Sequence, residues 1–250
     1  MKQRSKYKTA SIMGIERLRD NVDGPGIRTL VLFDTCPLHC EYCLNKMMLK
    51  SGIKKDFTVE ELYEILQVDD PYYEISDGGV TFGGGEPALQ SRFIEDFYNL
   101  TEGEMSIILE TSLHVPLEHV EKLAPIVDRF YVDVKDMNPE IYCDYTHEYN
   151  YFLLTNLEWL ANNGYASKVV ARVPLIPDFN TEEDQAKSVA MLKEMGFETE
   201  TFTYIQTHKP HEPIMLMGIP APPDYPDDLM GDLKPEEDII QNSDERKEEM

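Results

Sequence analysis

Two spacings of apolar residues alternate along this chain. Short runs of consecutive apolar positions occur at 29–33 (TLVLF), 79–82, 106–110 (SIILE), 130–134 (FYVDV), 168–175 and 202–205, and each reads as a buried strand. Between them the apolar residues fall three and four apart. Thr58 and Glu61 form a capping-box pattern opening a helix with Val59, Leu62, Ile65 and Leu66 on one face. Further helices are expected at 91–100, carrying Phe93, Ile94, Phe97 and Leu100, and at 116–124, opened by Pro116. Two more are expected at 152–163, with Gly164 as its C-cap, and at 181–195, ended by Gly196.

Strands alternating with helices in this way build βαβ units. The expected fold class is therefore α/β, a parallel partial (β/α)6 barrel of the TIM type. The residues able to do chemistry fall just after the strand ends: three cysteines, a glycine run, Glu110 with Thr111, Lys135 and His208. In a parallel barrel that edge is where a site is built. No internal repeat or linker divides the folded part.

Composition narrows the picture. A chain of 250 residues, 42% hydrophobic and 28% charged, has material for one large domain with a real core. The formal net charge of −24 repels nucleic acid and anionic membrane surfaces, so neither is an expected partner. Much of that charge lies in the acidic, proline-containing end, so residues 1–210 are expected to fold as the barrel and 211–250 to form a mobile, solubilising tail. No apolar run approaches the ~20 residues of a membrane span. The basic N-terminus carries no apolar stretch of a signal peptide, and a cytoplasmic protein is expected.

Cys36, Cys40 and Cys43 lie within eight residues, a spacing poor for disulfides and good for metal ligands. Three thiolates on one loop can hold three corners of an iron–sulfur cubane and leave the fourth iron open. A structural zinc site would need a fourth ligand, from Cys143 or a histidine, and no second CxxC pair supplies one. Spacing favours the cluster without excluding zinc. Cys143, standing alone, reads as a structural thiol.

CxxxCxxC with Tyr42 before the last cysteine resembles the cluster loop of the radical S-adenosylmethionine superfamily, and Gly84-Gly85-Glu86-Pro87 resembles its second motif. Residues 21–29 (NVDGPGIRT), Glu110-Thr111, residues 133–138 (DVKDMN) and Arg172 are similar to the glycyl-radical-enzyme activating enzymes of the pyruvate formate-lyase activase type. The resemblance runs from about residue 12 to residue 208.

The resemblance implies one [4Fe-4S] cluster on Cys36, Cys40 and Cys43. S-adenosylmethionine would bind the open iron and be cleaved reductively to a 5′-deoxyadenosyl radical that takes hydrogen from a partner's glycine. It further implies that Tyr42 and Leu44 lie against the cofactor, and that Gly84, Gly85 and Glu86 hold its amino group. Asp133, Val134 and Lys135 would flank its carboxylate and ribose, with Lys135 grouped with the cysteines as catalytic. Arg172 and His208 would close over it. Glu110 and Asp133 would share a monovalent cation beside Thr111, and Asp23, Gly24 and Pro25 would meet the substrate loop. The implied partners are a glycyl-radical enzyme and a flavodoxin- or ferredoxin-type electron donor, the chain itself acting as a monomer. A radical enzyme acting on a small molecule or another peptide, and a non-catalytic metal-binding module, are the alternatives.

The chain departs from the family in places. Thr35 replaces the usual glycine before the first cysteine, Leu44 replaces a histidine, and Glu110-Thr111-Ser112-Leu113 replaces Asp-Thr-Asn-Gly. These changes spare the cofactor chemistry and alter the substrate side. The eight further cysteines of a ferredoxin-like insert, present in many such activases, are missing.

Overall fold

The structure, a computed structural model, describes residues 9–204. In chain order its elements are β1 (Thr9–Asp20), β2 (Ile27–Phe33), α1 (Lys46–Ser51), β3 (Lys55–Thr58), α2 (Val59–Leu66), α3 (Asp70–Ser76), β4 (Gly79–Gly84) and α4 (Ser91–Leu100). There follow β5 (Ser106–Thr111), α5 (Leu117–Leu123), β6 (Arg129–Asp133), α6 (Pro139–Thr146), α7 (Tyr151–Asn162), β7 (Val169–Leu175), α8 (Glu182–Glu194) and β8 (Glu198–Thr203).

The described strands form one sheet in the order β3-β1-β2-β4-β5-β6-β7-β8. From β2 to β8 every neighbouring pair is parallel, and five of these six strands, β2 and β4 to β7, are the ones the apolar runs predict. The sheet is open, with β3 and β8 at its edges, as a partial barrel requires. β1 pairs antiparallel with both β2 and β3, an extension the apolar runs do not show. The last strand lies earlier than expected, pairing with β7 from Glu198 to Thr203. Its alternating Glu and Thr hide it from a search for apolar runs. Residue 205 and the expected domain boundary at 210 lie outside the described residues.

Side chains alternate across each strand, so the sheet has two different faces. Val31, Phe33, Val80, Phe82, Ile107, Leu109, Phe130, Val132, Val169 and Ala171 point one way into a continuous core under the helices. Phe33 stacks on Phe82 with centroids 5.6 Å apart, and Phe97 meets Phe82 edge-on at 5.7 Å. Phe93, Ile94 and Phe97 of α4 supply the helical side of that contact, as their spacing predicts. The capping box at Thr58 forms as expected: Glu61 N donates to Thr58 Oγ1 at 3.2 Å, and Thr58 N to the Glu61 carboxylate at 3.0 Å. The alternate positions, among them Arg28, Thr81, Glu110, Asp133 and Arg172, carry polar groups bonded to one another on the concave face. That face holds the site. Among the described residues no helix is long and apolar enough to cross a membrane.

Candidate active site

The three cysteines follow directly from the end of β2, and their loop is strapped on two sides. On one, Gly85 N donates to Phe33 O at 2.8 Å and Glu86 N to Thr35 O at 2.7 Å, joining the glycine loop to the cysteine loop. Asn45, just past Cys43, donates from its amide to Gly84 O at 2.8 Å. On the other, His39 N and Glu41 N donate to the carbonyls of Thr146 and Tyr145 at the end of α6, at 3.0 and 3.1 Å. His147 Nε2 lies 2.7 Å from the Glu41 carboxylate and closes that side.

This geometry changes the account of the glycines. A Cβ on Gly85 would lie 2.3 Å from Thr35 O, and one on Gly84 2.8 Å from Leu32 Cα, with φ at +92°. Both glycines are therefore required by close packing against β2 and its exit, whatever else the loop holds. The Glu86 side chain is bonded within the protein. It is buried, and its carboxylate accepts from Ala88 N, the Thr111 hydroxyl, Ser112 N and the Ser112 hydroxyl. Burial pushes its pKa up against the pull of those donors. Through these four bonds Glu86 joins the glycine loop to the end of β5. The Thr111 hydroxyl is used in the same network.

Beyond β6 and β7 lies a chain of charges. Arg172 donates from Nη1 to Glu110 Oε1 and from Nε to Asp133 Oδ1, both at 2.9 Å, and Lys135 Nζ donates to Asp133 Oδ2 at 3.1 Å. The two cations hold the Asp133 carboxyl below its ordinary range although it is partly buried, and Asp133 holds Lys135 well above its own. Lys135 is also close enough to Cys40 to favour its thiolate, while burial pushes that thiol the other way. Burial takes the Cys36 thiol up to about 12.

Other expected residues are placed as follows. Tyr42 packs edge-on against Tyr145 and Phe179, its hydroxyl 3.2 Å from Asp178 Oδ2. Leu44 is 59% exposed, so its side chain does not line an enclosed site. The Val134 side chain belongs to the core under the helices, which leaves only its backbone for the site. Asp23 is buried, its carboxylate bonded to Arg19 and its carbonyl accepting from Thr81 Oγ1 at 2.9 Å. Gly24 and Pro25 line a cavity of about 370 Å³ with Arg129, Tyr131, Arg172 and Glu200. His208 lies outside the described residues.

Two residues go unassigned by sequence reasoning. Arg28 is fully buried and bonded to Thr81 Oγ1 and the carbonyls of Val80 and Ser106, with burial lowering its guanidinium to about 10. A charged residue opening an apolar strand was the available signal. Tyr145 is fully buried between Tyr42, Phe179 and Tyr204, yet its hydroxyl has no hydrogen-bond partner among the described residues. The Tyr204 ring lies beside it, centroids 6.3 Å apart, and is the one described neighbour whose phenol acts on the Tyr145 hydroxyl. Nothing in the sequence marks it.

The donor set fits a cubane. Among the described residues no three Cys, His, Asp or Glu side chains converge on a single-ion site. A cluster asks for one thiolate at each of several irons. The three half-buried thiols share one strapped loop, and Tyr145, whose hydroxyl has no hydrogen-bond partner among the described residues, packs against Tyr42 of that loop with ring centroids 6.0 Å apart. A buried donor without a partner costs about 1–3 kcal/mol, so a bound group that accepts from it would remove a real penalty.

Comparison with known proteins agrees with this reading. The family model of the radical SAM superfamily matches residues 30–190, and the chain belongs to that superfamily. It is therefore an enzyme of the class that uses a [4Fe-4S] cluster and S-adenosylmethionine. Within the class its relatives are glycyl-radical-enzyme activating enzymes. It is 31% identical to the pyruvate formate-lyase 1-activating enzyme of Escherichia coli (strain K12), over 70% of this chain and 72% of that protein. It is 28% identical to the (2S)-3-sulfopropanediol dehydratase activating enzyme of Klebsiella oxytoca, over 79% of this chain and 82% of that one. The fold is shared with Streptococcus suis SuiB, solved bound to S-adenosylmethionine, at a TM-score of 0.57 and 15% identity over 72% of this chain and 41% of that protein.

Proposed function

We propose that this chain activates a glycyl-radical enzyme by removing a hydrogen atom from a backbone glycine of that partner. When bound, the cluster supplies the electron that splits S-adenosylmethionine into methionine and the 5′-deoxyadenosyl fragment that takes the hydrogen. Cys36, Cys40 and Cys43 would hold it. The straps from Gly85, Glu86, Asn45 and α6 fix the loop. Lys135 and Arg172 place positive charge where a carboxylate would bind, each oriented by Asp133. Gly24 and Pro25 offer a small, open wall against which an extended loop of the partner can lie.

The observation that carries this reading is the continuity of the site. Arg172 lines the cavity beside Gly24 and Pro25, and through Asp133 it is joined to Lys135, whose charge acts on the Cys40 thiol. This continuity supports a substrate side and a cofactor side that adjoin. The reading keeps residues 1–210 as the working unit, with His208 closing the site, a flavodoxin- or ferredoxin-type protein as electron donor and a monomer as the active form.

The test is anaerobic reconstitution with iron and sulfide, reduction, addition of S-adenosylmethionine, and assay of 5′-deoxyadenosine. A purified glycyl-radical enzyme is then added and its glycyl signal sought by electron paramagnetic resonance. Cofactor cleavage together with that signal supports the proposal. Cleavage with no radical on any glycyl-radical enzyme offered, and transfer to a small molecule or peptide instead, would overturn it.

A further inference from the structure

Glu110, Arg172, Asp133 and Lys135 form a charge set that is already closed. Two carboxylates face two cations, and the Arg172 guanidinium lies between Glu110 and Asp133 with a 2.9 Å bond to each. The resemblance to the activases assigns acids at these two positions a shared monovalent ion. The residues here do not fit one. The place between the carboxylates is taken, and another positive charge would sit beside Arg172 and Lys135 with no acid left to balance it. Asp23, also close to Glu110, is held by Arg19, and Glu200 shares the cavity wall with Arg129.

We infer that Arg172 is the built-in cation of this site and that the length of the Glu110 side chain makes it so. An aspartate at 110 would end about one C–C bond, ~1.5 Å, short of the present carboxylate. The bond to Arg172 Nη1 would then be lost and a space lined by two acids would open. Glutamate spans that space. Tyr131 holds the guanidinium from its face, with the ring centroid 5.1 Å from Arg172 Cζ, so the arginine has a second reason to stay. Its planar fork also suits two carboxylates at once, which a lysine cannot reproduce. Glu110 and Arg172 therefore act as positioning residues that replace an ion with a fixed side chain. The inference rests on S-adenosylmethionine as the ligand and not on the identity of the protein partner.

The test measures S-adenosylmethionine affinity by equilibrium dialysis on the reconstituted, unreduced protein, so that no turnover is needed. Potassium or sodium is exchanged for tetramethylammonium at constant ionic strength. The parent protein is expected to change affinity less than twofold. Glu110→Asp is expected to weaken at least fivefold in tetramethylammonium and to recover as potassium or sodium is added. A parallel melting series on the cluster-free chain reads the same site without the cofactor: small alkali ions should leave the parent unmoved and raise the Tm of Glu110→Asp. A parent protein that loses several-fold in affinity, or melts lower, when alkali ions are withdrawn overturns the inference. So does a Glu110→Asp protein indifferent to alkali ions in both measurements.

Discussion

Replacing Glu86 with alanine tests how the cysteine loop, the glycine loop and the end of β5 are held together. The Glu86 side chain is buried and accepts from Ala88 N at 3.0 Å, Ser112 N at 2.8 Å and the hydroxyls of Thr111 and Ser112. The hydroxyls can rotate to other acceptors, but the two backbone N–H groups cannot. Each buried N–H left unpaired costs about 1–3 kcal/mol, and the space vacated by the side chain adds about 1 kcal/mol. Against this stands the cost of burying a carboxylate, which the raised pKa of Glu86 reflects and which the truncation removes. The expected net loss is about 3 kcal/mol. Glu86→Gln keeps the shape and one acceptor oxygen but turns an amide toward Ser112 N, and should lose about half as much. Urea unfolding monitored by circular dichroism measures both, provided the slope stays constant. If Glu86→Ala unfolds within about 1 kcal/mol of the parent, or if glutamine costs more than alanine, the account of Glu86 as the joint between these loops is wrong.

Tyr145→Phe should leave the cluster-free chain as stable or slightly more so, by up to about 1 kcal/mol, because it removes a buried hydroxyl without a partner among the described residues. If a bound group accepts from that hydroxyl, the same variant should be less stable than the parent once loaded, and melting both forms decides. Asp133 has a folded-state pKa below its ordinary 3.8, so its pairing with Arg172 and Lys135 contributes stability above that pH and loses it as the pH falls through the folded value. The stability gap between the parent and Asp133→Asn should accordingly close in acid, and a gap that widens below pH 4 would count against the pairing. Gly85→Ala places a methyl 2.3 Å from Thr35 O and should cost about 1–3 kcal/mol or more by forcing the two loops apart. An unchanged urea midpoint would show that the strap yields without penalty.

Where the local pattern is uninterrupted, the sequence is a good guide. Five of the six parallel strands, β2 and β4 to β7, are short apolar runs buried on their helix-facing side, and α4 shows its buried face at helical spacing. β1 is longer than any of them and yet is not visible as a run. Its pairing with β2 shifts register between Ile12 and Gly14 and again between Glu16 and Arg19, with Leu18 at φ +59°, so the two-residue alternation is broken twice. α6 was not visible either, because the residues it buries include Tyr142, Tyr145 and Thr146, which resemble surface residues in a sequence.

The sequence by itself determined the cysteine triplet, the glycine loop and the placement of the charged residues at strand ends, since these follow from spacing along one chain. Only the tertiary structure decided what each side chain does there. It turned the Glu86 carboxylate inward to four donors, committed Asp23 to Arg19, sent Val134 into the core and brought Arg172 between Glu110 and Asp133. The physical reason is distance along the chain. A strand's ends and faces are fixed by neighbours a few residues away, whereas a buried polar group takes whatever partner the packing of other βα units delivers. Arg172 meets Glu110 across 62 residues of sequence, and no local pattern encodes that bond.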